Sequence, residues 1–342
     1  MRAVCFTVMG KQMEVREVPD PSPGPGELVI RVKGCGICGS DLHVTELPGA
    51  IANGCVMGHE FAGEIAAVGK DARGPGGSWK EGDRVCTMPA ISCGECARCV
   101  TGDVMGCEKL RATGFGEIGG GYAEYALAAD HLTFRLPESV ASADGAMVEP
   151  LSVGLHAVEA AAPSPGEDVL VLGAGPVGLS IALWAKHLGA REVVISDPLA
   201  HRRELATRLG ATALIDPSGE EVPEAFQKIT GHAPRMIFEC VGRPGMIQDC
   251  VGLAQRGGKV LSAGMCMQPD TLMPVLTGAK ELTIQFVSYY RHADFALTVD
   301  MLGAGRIDPA AMVTDRIELD TLPAAFEALR KPSTECKVIV EP

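Results

Sequence analysis

Apolar positions along the chain keep two rhythms, and the change falls near residue 142. Before it, short apolar runs are broken by glycine and proline. Leu28-Val29-Ile30-Arg31-Val32 reads as a strand after the rigid turn at 19–26. Residues 61–69 read as another strand, 74–78 as a loop, and Gly82-Asp83-Arg84-Val85 as a turn entering a third. Short strands at this spacing predict a compact, β-barrel-like first domain.

Residues 142–158 are instead helical, mostly apolar after Asp144, with Glu149 the lone carboxylate before Pro150. Strand and helix then alternate. The apolar run 168–172 has the character of a strand buried in a parallel sheet. Further strands are expected at 192–196, 213–215, 236–239, 259–263 and 282–286. Helices are expected between them at 176–188, 202–209, 222–230 and 245–255. Six strands with helical crossovers predict a doubly wound α/β dinucleotide fold. After Tyr289, helices are expected near 297–302 and 322–329 and a last strand at 337–340, and this tail is expected to rejoin the first domain.

Composition narrows the class. The 342 residues are enough for two domains with real cores, and 42 glycines fit many tight turns. A net charge of -13 argues against an electrostatic grip on nucleic acid or an anionic membrane. Residues 169–185 are apolar, but glycines interrupt them and they fall short of the ~20 residues a helical span needs. The 13 cysteines are odd in number, and Met1-Arg2-Ala3-Val4-Cys5 leads into no apolar signal segment. Reduced thiols in the cytoplasm, some of them on metal, are therefore expected.

The candidate chemistry is concentrated in a few stretches. Residues 36–43 offer Cys38, Ser40, Asp41 and His43, and Gly58-His59-Glu60 follows closely. A thiolate, an imidazole and a carboxylate together suit Zn²⁺, and three protein ligands leave one position open for chemistry. Cys93, Cys96, Cys99 and Cys107 stand at C-x2-C-x2-C-x7-C spacing and can wrap a second, structural zinc. An iron–sulfur cluster is the competing use of such thiols. Glu149, in its apolar run, needs a partner that a metal would supply, unless it is partly exposed at a helix break.

Gly173-Ala174-Gly175-Pro176-Val177-Gly178 is a G-x-G-x-x-G turn with a strand before it and a helix after it, which is the setting a dinucleotide pyrophosphate requires. Asp197 ends the next strand, where a carboxylate accepts ribose hydroxyls and repels a 2′-phosphate, favouring NAD over NADP. Arg202 and Arg203 follow it, either near enough to meet a phosphate or on a solvated helix face. Cys240 and Gly264 lie at carboxyl ends of strands, where ligands bind in such sheets.

These motifs, in this order, resemble the zinc-dependent medium-chain alcohol dehydrogenase family over essentially the whole chain. The resemblance implies a GroES-like catalytic domain at 1–152 and 288–342, with a structural zinc lobe at about 90–110, and a Rossmann domain at 153–287. It implies that Cys38 and His59 ligate a catalytic zinc, with either Glu60 or Glu149 completing the set. It also implies that Asp41 orients His59 and that Ser40 and His43 carry the substrate proton to solvent.

The run Glu149-Pro150-Leu151-Ser152-Val153 is most similar to the sorbitol and threonine dehydrogenase branch. The implied reaction is hydride transfer between a secondary alcohol or polyol and NAD, in a homodimer or homotetramer. Alternatives are an NADPH-preferring zinc carbonyl reductase, a threonine dehydrogenase-like activity, or a non-catalytic NAD-binding redox sensor. One departure stands out: Tyr289 occupies the place where polyol enzymes of this branch carry an arginine, with Arg291 two residues on. That shifts weight toward a less polar secondary alcohol.

Overall fold

The first sheet is built on strands that are buried over most of their length, such as Glu27–Gly36 and Glu60–Val68, and the second on short apolar runs buried throughout at its centre. A computed structural model describes residues 1–74, 77–116, 118–331 and 334–342. The chain divides into two units. One comprises 1–149, 291–306 and 313–342, and the other 150–290 and 307–312.

The first unit is organised on strand Glu27–Gly36, which runs four residues past the expected end. It pairs antiparallel with Glu60–Val68, with Tyr125–Ala129 and with the last strand, Lys337–Glu341. The seven-stranded sheet runs Thr133–Arg135, Arg84–Thr87, Glu60–Val68, Glu27–Gly36, Lys337–Glu341, Val313–Glu318, with Tyr125–Ala129 also on Glu27–Gly36. The loop expected at 74–78 falls partly on Pro75 and Gly76, which lie outside the described residues; Arg73–Gly74 pairs with Gly77–Ser78 on either side of them. Leu28, Ile30, Val32, Phe61, Ile65 and Tyr122 anchor the core.

In the second unit six parallel strands run in the order Ala213–Ile215, Val193–Ser196, Val169–Leu172, Met236–Glu239, Lys259–Ser262, Thr283–Phe286. The order reverses at Val169–Leu172, the first strand, so the turn that follows it opens at the switch point where such sheets bind ligands. Central strands are buried throughout, whereas Thr283–Phe286 is an edge strand with exposed ends.

The helix expected over 142–158 is two elements, a 3₁₀ turn at Asp144–Met147 and an α-helix at Val148–Ala161. Pro150 does not break the latter because it lies in the first turn, where a missing N–H costs nothing. The helix expected at 297–302 begins earlier, at His292, because Asp294 accepts the Arg291 backbone N–H at 2.8 Å and closes a capping box.

Among the described residues no helix is long and apolar enough to cross a membrane.

Candidate metal centre and nucleotide site

Cys38 is the N-cap of the short helix Gly39–Val44, directly after strand Glu27–Gly36. Its backbone N–H donates to Asp41 Oδ2 at 3.1 Å. The fully buried Asp41 also accepts from the Tyr122 hydroxyl at 2.7 Å, and its other oxygen takes His59 Nδ1 at 3.2 Å. A carboxylate held by three donors fixes the ring and presents Nε2 to the site. Ser40 Oγ lies 3.5 Å from that Nε2, and Phe115 packs on the ring with centroids 4.7 Å apart. Burial opposes charge on His59, but Asp41 and then Cys38 hold its pKa well above the ordinary value.

Sheet register brings the next ligand in. Gly36 pairs with Glu60, and a Cβ at Gly36 would lie 2.0 Å from Glu60 Oε2, so only glycine leaves room for this carboxylate. Cys38, His59 and Glu60 thus place a sulfur, a ring nitrogen and a carboxylate oxygen within 4.8 Å of one another. This soft, borderline and hard donor set fits Zn²⁺. Glu149 is buried in the first turn of Val148–Ala161 and is not part of that three-residue cluster. His43 lies one helical turn after Ser40 and is exposed.

Sequence reasoning missed Lys337. Its ammonium donates to both Glu60 oxygens at 2.7 Å and to the Ile37 carbonyl at 3.1 Å, with both charged side chains 1% exposed. Burial works against this charge, but Glu60, then Cys38, and more weakly Glu149 raise the Lys337 pKa above its ordinary value. Three candidate ligands therefore act on one resident cation. The available signal was a lysine directly before the apolar run Val338-Ile339-Val340.

The four lobe cysteines also converge, with ligand atoms within 4.8 Å of one another. Cys93 accepts backbone N–H groups of Glu95 and Cys96, which pull its pKa down to about 6, while burial pushes Cys99 up to about 11. All thirteen cysteines are free thiols. A closed set of four sulfurs fits a structural zinc.

In the second unit, strand Val169–Leu172 ends at Gly173, whose φ of +97° favours glycine. Gly175 is the N-cap of helix Pro176–His187, and a Cβ there would meet nothing within 4 Å. At Gly178 a Cβ would lie 1.9 Å from the Gly173 carbonyl oxygen, so the third glycine seats the helix on the turn. Pro176 and Val177 form the partly exposed first turn of that helix.

Asp197 accepts the Ala174 N–H at 2.8 Å on one oxygen and the Leu199 N–H at 2.8 Å on the other. Gly173, Gly175, Asp197, Arg202, Cys240 and Arg243 line a cavity of about 750 Å³. That open turn and helix N-terminus fit a dinucleotide.

The two arginines separate. Arg202 lies 3.9 Å from Asp197 at the cavity. Arg203 is not on a solvated face: it bonds the Asp197 carbonyl at 2.6 Å and Asp216 at 2.8 Å, because the carbonyl left bare at the strand end needs a donor. Gly264 is a packing glycine, with Gly242 N 2.4 Å from where its Cβ would be. Glu239, also missed, is buried and accepts the Val241 and Gly242 N–H groups at 2.7 and 2.8 Å, shaping the loop that carries Cys240 and Val241.

Two family models match this chain: the alcohol dehydrogenase GroES-like domain over residues 24–138 and the zinc-binding dehydrogenase over 176–304. The chain belongs to the zinc-dependent medium-chain alcohol dehydrogenases, in the sorbitol dehydrogenase-like branch, and is an oxidoreductase of alcohols. It is 31% identical to the sorbitol dehydrogenase of Bacillus subtilis, over 97% of this chain and 95% of that one. Among solved structures, a zinc-binding dehydrogenase of Sinorhizobium meliloti bound to NADP matches with a TM-score of 0.89 and 32% identity, covering 100% of this chain and 99% of that one. An Escherichia coli alcohol dehydrogenase complexed with NADH matches with a TM-score of 0.89 and 29% identity, covering 100% and 99%.

Proposed function

We propose that this enzyme oxidises a secondary alcohol or polyol with NAD, reversibly, using a catalytic zinc held by Cys38, His59 and Glu60 and a structural zinc held by Cys93, Cys96, Cys99 and Cys107. The observation that carries the reading is the buried sulfur–nitrogen–oxygen cluster whose imidazole is fixed by Asp41. When bound, the catalytic zinc supplies Lewis acidity and the nicotinamide supplies the hydride acceptor.

The chain's own residues do the remainder. Asp41 and Tyr122 keep His59 in one orientation. Lys337 compensates Glu60, and Glu149, close enough to act on Lys337, is the second carboxylate available to the metal. Ser40 accepts the proton the alcohol loses, and exposed His43 passes it to water.

Preference for NAD is supported by Asp197, whose carboxylate lines the nucleotide cavity and repels a 2′-phosphate. Arg202 and Arg243 on the same cavity favour a second reading, an NADPH-preferring carbonyl reductase. The Bacillus sorbitol dehydrogenase supports a polyol, while Tyr289 in place of arginine supports a less polar secondary alcohol.

Thirteen free thiols support a cytoplasmic location. The exposed Val275, in helix Pro274–Ala279, and Phe286, on the edge strand, each 71% accessible, support a homodimer or homotetramer.

The test is initial-rate measurement with NAD and NADP across diols, polyols, secondary alcohols and threonine, with and without chelator. NAD-dependent turnover of one alcohol class that chelator abolishes is the expected result. Chelator-insensitive turnover removes zinc from the reading, and preference for NADPH reduction establishes the second one.

A further inference from the structure

The helix that carries Ser40 and His43 is too short to stand alone. Gly39–Val44 has six residues, and isolated helices below about 12–15 residues are marginal in water. Its start is held by Asp41, which accepts the Cys38 N–H and the Tyr122 hydroxyl. Its end needs partners as well, because the last carbonyls of a helix find none inside it. The Leu42 carbonyl accepts the Thr45 hydroxyl at 2.7 Å and Arg330 Nη1 at 3.1 Å. The same Nη1 donates to Glu46 Oε1 at 2.9 Å, and Nη2 donates to Thr45 Oγ1 at 2.8 Å. Arg330 stands 288 residues further along the chain, just past helix Leu322–Ala328.

Arg330 is itself fixed. Its Nε donates to Glu327 Oε2 at 2.9 Å, and its guanidinium carbon lies 5.3 Å from the ring centroid of the buried Phe326. One planar cation thus spans a carbonyl, a hydroxyl and a carboxylate at the end of the helix, where a positive charge also meets the negative end of the dipole. A lysine ammonium has three donors and no fixed fork, so it cannot hold all of these at once. Beside the clamp lies a cavity of about 320 Å³, lined by Phe6, Met9, Lys11 and Met13 as well as Thr45 and Arg330.

We propose that Arg330 is a positioning residue for proton release: it fixes the end of helix Gly39–Val44 and so holds His43 where it takes the proton from Ser40. The inference rests on the proton path proposed above. His43 lies between Leu42 and Thr45, the two residues Arg330 holds, and its own carbonyl accepts the Glu46 N–H at 3.1 Å. Among the described residues no side chain bonds the exposed His43 ring, so the backbone at 42–46 sets where it stands.

The experiment uses the full-length, zinc-loaded enzyme with NAD and whichever of sorbitol and butane-2,3-diol turns over faster. It reads kcat, KM, the solvent deuterium isotope effect on kcat, zinc content, and amide hydrogen exchange of the segment 39–47. Arg330→Met is expected to lower kcat about tenfold with KM within twofold, because a misplaced group slows a step without loosening binding. The isotope effect is expected to rise, since proton transfer then limits turnover. Exchange at 42–46 is expected to quicken, and zinc content to stay at the parent value because Cys38 is held from the other end of the helix. Arg330→Lys is expected to fall between the two. In Arg330→Ala, guanidinium at tens of millimolar, entering by the adjoining cavity, is expected to restore kcat, and sodium chloride at equal strength is not.

His43→Asn separates the two readings. It is expected to lower kcat and raise the isotope effect, and Arg330→Met added to it is expected to change little more, because both act on one step. If His43→Asn alters neither quantity, the proton path falls and the role of Arg330 with it. If His43→Asn alters both but Arg330→Met leaves kcat and the isotope effect at parent values, the proton path stands and the role of Arg330 is overturned, whatever the exchange rates show.

Discussion

The two candidate metal centres are built in opposite ways. The four-sulfur lobe draws every ligand from one loop, Cys93 to Cys107, and backbone N–H groups within that loop supply much of its polarity. The cluster at Cys38, His59 and Glu60 is assembled by sheet register, with Lys337 and Tyr122 arriving from distant parts of the chain. The difference follows from burial. The lobe lies near solvent, which absorbs part of the cost of its charges, and three of its four sulfurs are only half-buried. The second cluster buries a carboxylate, and burying a charge without a partner is costly, so the fold brings an ammonium to it. A local loop suffices to hold a metal, while a reactive metal position needs the whole sheet behind it.

The largest expected effect tests that division of labour. Cys38→Ser should lower kcat/KM by on the order of a thousandfold or more, since it removes the group that supplies several kcal/mol of charge stabilisation. NADH binding, followed by fluorescence, should persist. Cys99→Ser should leave kcat/KM within a few-fold and lower the melting temperature instead. If Cys99→Ser lost activity as completely as Cys38→Ser, the two centres would not be functionally distinct.

Next in size is Lys337→Met. It strands Glu60 in the interior, and breaking a buried pair from one side costs about 3–5 kcal/mol, read from urea unfolding of the metal-free enzyme. Glu60→Gln in the same chain should recover much of that loss, because no charge is then left unpaired. Added zinc should stabilise Lys337→Met more than the parent, since the metal becomes the only compensation available. In the lobe, Lys109 pairs with Glu95 at 3.2 Å with both side chains exposed, and Lys109→Met should leave the unfolding midpoint unchanged. Equal effects at Lys337 and Lys109 would refute the role given to burial.

Tyr122→Phe is a smaller change. It removes one hydrogen bond to a buried carboxylate, about 1.5–3 kcal/mol when the acceptor is charged. Without that bond Asp41 orients His59 less firmly, and zinc affinity, measured by chelator competition, should fall about tenfold at the Cys38 cluster and not at the lobe.

These residues also show how far the sequence could be read. The alternating strands and helices of the second unit were legible because its central strands are short, fully buried runs, mostly apolar. Strand Val313–Glu318 was not, since an edge strand of sequence VTDRIE has no buried face to give it a pattern. Tyr125–Ala129 escaped because alanines carry little strand signal. In the site, Cys38, His59 and Glu60 stood out because their chemistry is dense in the sequence. Lys337, Tyr122 and the bonds from Asp130 through His131 to Ser92 did not, because only long-range pairing tells which buried polar group meets which.

The smallest expected effect concerns the lobe without its metal and separates two sulfurs that look alike in the sequence. A thiolate, not a thiol, reacts with iodoacetamide, so alkylation rises with pH as each group loses its proton. Backbone N–H groups favour the Cys93 thiolate and bring its pKa to about 6, while burial disfavours that of Cys99 and lifts it to about 11. In metal-free enzyme, alkylation mapped by mass spectrometry should therefore rise at Cys93 between pH 5 and 7 and then level off. At Cys99 it should stay slow until well above pH 9. Nothing comparable is expected of a loop whose thiols are interchangeable, so a common pH midpoint for both would mean that the backbone does not prepare Cys93 in advance, and the lobe's self-sufficiency would have to come from the metal alone.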